Sequence, residues 1–110
     1  MSVQQQFQIP QGVDAQIVLS QYAQDGSTTI NVTGWALAFT MTLPGGATVV
    51  SKSTGAGNIT AASPLPYQAT INFTAADTAS LPPIYYTFEM RRTGTGVADE
   101  LTVGTAFLTP

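Results

Sequence analysis

The amino-acid sequence predicts an all-β fold, an antiparallel β-sandwich of about seven strands. Three observations predict it. Large apolar side chains alternate with small or polar ones, Gly and Pro interrupt the chain at short spacing, and 44% of the 110 residues are hydrophobic while 8% are charged. Alternation with a period of two places one set of side chains on each face of a strand, and short, evenly spaced strands are typical of sandwiches.

The clearest predicted strand covers residues 34–43. Its large side chains fall on every second residue: Trp35, Leu37, Phe39, Met41 and Leu43. Pro44, Gly45 and Gly46 end it, because Pro cannot donate to a ladder and Gly accepts turn conformations. The same alternation predicts further strands over 67–74, 85–91 and 101–107, with shorter ones over 15–22 and 48–52.

One segment favours a helix instead of a strand. Residues 74–80 are rich in Ala, with Thr74 in place to cap a single helical turn and Asp77 near its positive end. Leu81 is expected beneath this turn, which the two following prolines stop. Residues 53–66, with two Gly and two Pro, are expected to form an exposed loop. We therefore predict an extended N-terminal arm over residues 1–12 and a single sandwich domain over 13–110.

The composition excludes several classes of chemistry. The chain has no Cys and no His, so it cannot form a disulfide, a Cys/His metal site, or a Ser-His or Cys-His nucleophile pair. Its cations are Lys52, Arg91 and Arg92, and its net charge is -3, which argues against a nucleic-acid surface. No apolar stretch is long enough to cross a bilayer, and no targeting signal is readable, so we expect synthesis in a cytoplasm.

The acidic residues do not form a recognisable catalytic pattern. Asp99 and Glu100 are adjacent, and we expect them at the solvated tip of a hairpin. Asp14 and Asp25 lack the spacing of a calcium loop. We expect one residue of the Arg91-Arg92 pair to pack over Tyr or pair with Glu89, and the other to be solvated. The sequence thus predicts no enzyme, no cofactor and no metal site.

The remaining candidates are contacts with a partner protein. Alternation places Trp35 and Tyr86 in the core and leaves Tyr67 and Tyr85 for surface contact. The N-terminal arm either adds a strand to the sheet edge of a neighbouring molecule or is disordered, as chain termini usually are. The predicted partner contacts are Gln5, Phe7, Ile9, Tyr67 and Tyr85.

The order of the motifs resembles a known family. An apolar strand follows Asp14, and Ala-Thr-Ile-Asn-Phe-Thr stands at 69–74. Ala-Ala-Asp-Thr-Ala-Ser-Leu-Pro-Pro follows at 75–83 before a Tyr-bearing strand, and Leu-Thr-Val-Gly-Thr-Ala-Phe closes the chain at 101–107. Over residues 14–108 the sequence is similar to the small immunoglobulin-like module of tailed-phage virion proteins, such as the N-terminal domain of baseplate upper proteins. It departs from that pattern at Pro83, where the family usually has Gly.

The resemblance implies an immunoglobulin-like sandwich with a structural role in a virion. It implies contacts with other virion proteins, without catalysis. The low charge reduces repulsion between packed subunits, so we also expect contacts with copies of itself, as a homo-oligomer in the assembled particle, and no nucleic-acid or membrane partner. Head decoration and a neck, tail or baseplate adaptor both remain open. The alternative is a carbohydrate- or receptor-binding module that uses Tyr67, Tyr85 and the loop over 53–66.

Overall fold

A computed structural model describes residues 3–22, 28–63, 65–94 and 97–110. Within these residues the chain forms eight strands and one short helix, with bounds β1 Val3–Pro10, β2 Ala15–Ser20, β3 Ala36–Thr42, β4 Thr48–Ser53, β5 Ile59–Ala61, β6 Gln68–Phe73, α1 Ala75–Thr78, β7 Tyr85–Gly94 and β8 Val97–Thr109. One sheet has five strands in the order β1-β8-β7-β3-β4, and the other has three in the order β2-β6-β5. The predicted all-β sandwich is confirmed.

Alternating burial along the strands produces the core between the two sheets. In β3 and β6 every second residue is buried, as the sequence pattern predicts. Four phenylalanines, Phe7, Phe39, Phe73 and Phe88, come from both sheets, and their ring centroids lie 4.9 to 6.4 Å apart in mostly tilted or edge-on pairs. Such geometries are favoured because the electron-rich face of one ring meets the positive edge of another.

The N-terminal segment differs from the predicted arm. Val3–Pro10 is strand β1, which pairs in parallel with β8 from Val3 opposite Thr102 to Pro10 opposite Thr109. Ile9 is 1% exposed, and Phe7 packs against the core. Burial of these two side chains, together with main-chain bonds to β8, outweighs the low strand propensity of the Gln-rich sequence. Residues 3–10 are therefore part of the sandwich, and residue 12 marks no domain boundary.

Two other predicted loops contain strand. The expected loop over 53–66 includes β5, where Ile59 is 4% exposed and joins the core. Burial of Ile59, with Ala61 packed against the core, outweighs the turn-forming tendency of the flanking residues. The expected hairpin tip is shorter than predicted, because β8 begins at Val97 and places Asp99 and Glu100 opposite Arg92 and Arg91 in the ladder. The side chains of Asp99 and Glu100 lie outside the described part of the structure, as does the whole of Asp25.

The predicted helical turn is confirmed as α1. Thr74 is its N-cap residue, and the backbone N–H of Thr74 donates to Asp77 Oδ2 at 2.7 Å. The N–H of Ala75 donates to Asp14 Oδ1 at 2.8 Å. Two carboxylates therefore accept hydrogen bonds from backbone N–H groups at the start of the helix. Leu81 packs against the core immediately after it. The turn carries the chain from β6 in the small sheet to β7 in the large one.

Candidate interaction surface

The outer face of the five-stranded sheet presents hydroxyl and amide groups at the positions that alternate with the core. We call it the threonine face and define it by Gln6, Thr40, Thr42, Thr87, Glu89, Val103 and Thr105. Strand register fixes one row across it, in which Thr42 stands opposite Thr87, Thr87 opposite Thr105 and Thr105 opposite Gln6. The row crosses four neighbouring strands, so the distances between its side chains are fixed by the spacing of hydrogen-bonded strands and do not depend on loop conformation.

A shallow depression of about 720 Å³ lies in this face. Gly104 and Gln5, which lie opposite each other in the ladder of β8 and β1, also contribute to its lining. The hydroxyls of Thr42 and Thr87 lie 2.5 Å apart and bond to each other. A hydroxyl both donates and accepts, so the face can bond main-chain or amide groups of either polarity on a partner.

An exposed aromatic pair borders the threonine face. Tyr85 is 62% exposed, and its ring stacks on that of Phe107 at 4.5 Å between centroids. The neighbouring Tyr86 points the opposite way. It is 1% exposed, its hydroxyl donates to the Pro82 carbonyl at 2.7 Å, and burial raises its pKa. The predicted exposure of Tyr85 and burial of Tyr86 are confirmed, because adjacent strand residues face opposite sides.

Of the other predicted contact residues, Phe7 lines a second depression together with Tyr85, and Gln5, Ile9 and Tyr67 are not part of its lining. Gln5 is half-buried, and its Nε2 donates to the Ser20 carbonyl at 2.6 Å, which ties β1 to β2. Ile9 is buried in the core, so the prediction that it contacts a partner does not hold for a chain in this conformation. Phe7 is half-buried and packs against the core. Tyr67 is half-buried before β6 in the small sheet.

Each of the six charged side chains that the structure describes has a partner within the chain. Lys52 is 7% exposed, and its Nζ lies 2.5 Å from Asp77 Oδ2. Burial works to raise the pKa of Asp77, but the hydrogen bonds from Lys52 and from the Thr74 N–H outweigh it and hold that pKa below its ordinary value of 3.8. Asp14 is the acceptor for the Ala75 N–H at the start of α1.

The two arginines are also engaged. Arg91 pairs with Glu89 on the outer face, as the sequence predicted for one of them. The guanidinium of Arg92 lies 3.9 Å from the centroid of the Trp35 ring, so it packs on an aromatic face where solvation was expected. Trp35 is half-buried and packs against the core. Neither arginine therefore resembles a dedicated anion site.

The described residues bring together no group of three or more acidic, His or Cys side chains placed to hold a metal ion. In the same part of the chain, no helix has the length and apolar character needed to span a membrane. A scan against protein-family models and a search of curated proteins found no match to this chain.

Sequence reasoning did not single out the threonine face. The sequence pattern that indicates this face is the alternation of threonines with buried residues along the strands, at Thr40, Thr42, Thr87 and Thr105. What the sequence does not contain is the strand order that places β3, β7 and β8 side by side.

Proposed function

We propose that this chain is a structural component of a tailed-phage virion that acts through protein–protein contacts, as a head decoration protein or as a neck, tail or baseplate adaptor. The observation that carries the proposal is the threonine face, a surface on the larger sheet whose residues are spaced by the strand ladder. Among the seven residues that define it, Glu89 is charged, and it pairs with the neighbouring Arg91. The resemblance of residues 14–108 to virion modules is the reason for proposing a phage particle as the location of these contacts.

The physical advantage of such a surface is a low cost of burial. A charge that is buried without a partner at an interface loses its hydration, whereas hydroxyls and amides exchange water for hydrogen bonds across it. The six charged side chains described above already have partners inside the chain. Copies packed closely in a particle would therefore bury few unmatched charges through these residues.

Quantitative peptide mass spectrometry on purified particles tests the proposal. It measures copies of this chain per copy of the major capsid protein. A ratio near that of the capsid lattice supports head decoration, and a small, ring-sized number supports an adaptor at the neck, tail or baseplate. Absence of the chain from the particles contradicts the proposal.

A pair of variants tests the role of the threonine face. Thr87 lies on that face and Thr60 on the outer face of the small sheet, and both are exposed strand residues. We expect Thr87→Lys to reduce incorporation into particles, because it places an unpaired charge in the contact, and Thr60→Lys to leave incorporation unchanged. Equal incorporation of the two variants would remove the threonine face as the contact surface.

One observation favours the alternative of a carbohydrate-binding module. The exposed Tyr85 ring, stacked on Phe107, offers an aromatic platform with Gln6 and Gln8 beside it. Sugar rings pack on such platforms through their apolar faces. A glycan array that gives a saturable signal with the native chain, and none with Tyr85→Ala, would promote this function above the structural one.

A further inference from the structure

The sheet edges on one side of the sandwich carry features that oppose pairing with another chain. Strand β4 points the charged Lys52 inward, and its pairing with β3 shifts register between Met41 and Thr42. Strand β5, on the same side of the sandwich, has three residues. Inward charges, irregular pairing and short length are devices that keep edge strands from pairing with other molecules.

The opposite side lacks these features. Strand β1 has eight residues and β2 has six, and neither contains a charged residue. Among the described residues, β1 pairs with β8 alone. The Ser20 carbonyl at the end of β2 already accepts the Gln5 amide, so β1 is the longer and less occupied edge.

The direction of the β1 backbone groups follows from contacts at its two ends. The Gln11 N–H donates to the Thr109 carbonyl at 2.9 Å, and the Gln5 carbonyl oxygen lies against Gly104. In a parallel ladder every second residue of an edge strand bonds to its neighbour. Odd-numbered residues of β1 therefore face β8, and the N–H and C=O groups of Gln4, Gln6 and Gln8 face the open edge.

We propose that β1 pairs antiparallel with β1 of a second copy of this chain across a twofold axis. The register that places Gln6 opposite Gln6 also places Gln4 opposite Gln8, so that all three residues exchange main-chain bonds. Registers shifted toward the C-terminal end bring in Pro10, which has no N–H to donate. The two five-stranded sheets then form one continuous ten-stranded sheet.

A second copy fits this edge better than an unrelated segment. An antiparallel pair of identical strands is self-complementary about a twofold axis, and uncharged strands meet without repulsion. Because the axis is perpendicular to the sheet, the two threonine faces lie side by side on one surface. The inference deepens the proposed function, and it rests on that function for the expectation that copies of the chain meet.

Cysteine cross-linking of the purified full chain tests the register. The native chain contains no Cys, so any disulfide that a single-Cys variant forms must join the introduced residue to the same residue of a second copy. We expect Gln6→Cys to form a disulfide-linked dimer under mild oxidation, since directly opposed residues in an antiparallel pair have Cα atoms about 5.5 Å apart, within disulfide range. Ser51→Cys, exposed on the opposite edge strand of the same sheet, is the matched control. Equal cross-linking of the two variants overturns the proposal.

Sedimentation equilibrium tests the interface without covalent trapping. We expect the native chain to dimerise and Gln6→Lys to raise the dimer dissociation constant by about ten-fold or more, because like charges then face each other across the axis. Ser51→Lys makes the same change in net charge and should have no effect, and mixing Gln6→Lys with Gln6→Glu should restore pairing. A monomeric native chain, or a dimer insensitive to Gln6→Lys, overturns the edge proposal. Absence of the chain from particles would instead overturn the proposed function and leave the dimer intact.

Discussion

The close approach of β1 to β8 depends on the missing side chain of Gly104. A Cβ built on Gly104 would lie 1.7 Å from the carbonyl oxygen of Gln5 and 2.8 Å from its carbonyl carbon. Since real Cβ atoms do not approach other atoms closer than 3.0 Å, Gly104→Ala requires β1 to move by at least the difference, 3.0 minus 1.7, or 1.3 Å. The obstacle is main chain, so a change of rotamer cannot relieve it.

The cost follows from what β1 contributes to the core. A main-chain hydrogen bond of about 2.9 Å that lengthens by this amount passes beyond hydrogen-bonding distance. Detachment of the strand exposes Ile9 and Phe7, and each buried side chain of this size contributes about 1.5 to 3 kcal/mol. The loss of about 3 to 6 kcal/mol is a large part of the 5 to 15 kcal/mol of unfolding free energy that is typical of a domain. At about 4 °C per kcal/mol, the melting temperature should fall by at least about 12 °C.

Thermal unfolding followed by circular dichroism measures this loss, and amide hydrogen exchange locates it. We expect Gly104→Ala to lower the melting temperature and to abolish protection of the Phe7 and Ile9 amides. Gly45→Ala is the control, because a Cβ on Gly45 meets no atom within 4 Å and its φ is not positive; this variant should be neutral or slightly stabilising. A Gly104→Ala protein that melts within about 2 °C of the native chain and keeps both amides protected would refute the reasoning.

Three further predictions concern polar contacts. Thr102→Val should cost about 1 to 3 kcal/mol in urea unfolding, because the buried Gln21 Oε1 loses its donor at 2.8 Å, whereas Thr102→Ser should retain that bond. The lowered pKa of Asp77 stabilises the fold above about pH 4, and this contribution is lost as the pH falls through the folded-state value. Asp77→Asn should therefore reduce the fall in melting temperature between about pH 5 and pH 3; an unchanged fall would exclude the ion pair with Lys52 as its source. Tyr86→Phe should cost about 1 kcal/mol through loss of one hydrogen bond, as measured by urea unfolding, and a variant as stable as the native chain would show that the hydroxyl is dispensable.

The strands that could be predicted from the sequence are those whose local pattern and tertiary environment agree. Residues of β3 and β6 alternate without interruption, and each is bordered by turn residues. The capping residue Thr74 and the acidic Asp77 identify α1 in the same way, because both act within one turn of the chain.

The elements that could not be predicted depend on partners distant in sequence. Strand β1 is rich in Gln, and its strand conformation comes from a ladder with β8 about 100 residues later, opposite the glycine that permits the approach. Strand β5 has three residues between turns, and its two apolar side chains, Ile59 and Ala61, are too short a run for periodicity to identify. The side chain of Tyr85 could be placed from alternation alone, whereas the threonine face required the strand order of the sheet.

The parallel pairing of β1 with β8 also determines how the domain bears load. Because Val3 stands opposite Thr102 and Pro10 opposite Thr109, the first and last strands leave opposite ends of the same ladder. Tension applied through residue 3 and residue 109 would pull these strands past each other along their length. All the hydrogen bonds between the two strands would then be stressed at the same time. Bonds that are pulled together resist more force than bonds that are opened one at a time from one end. A chain held between two partners by these strands would act as a stiff mechanical link.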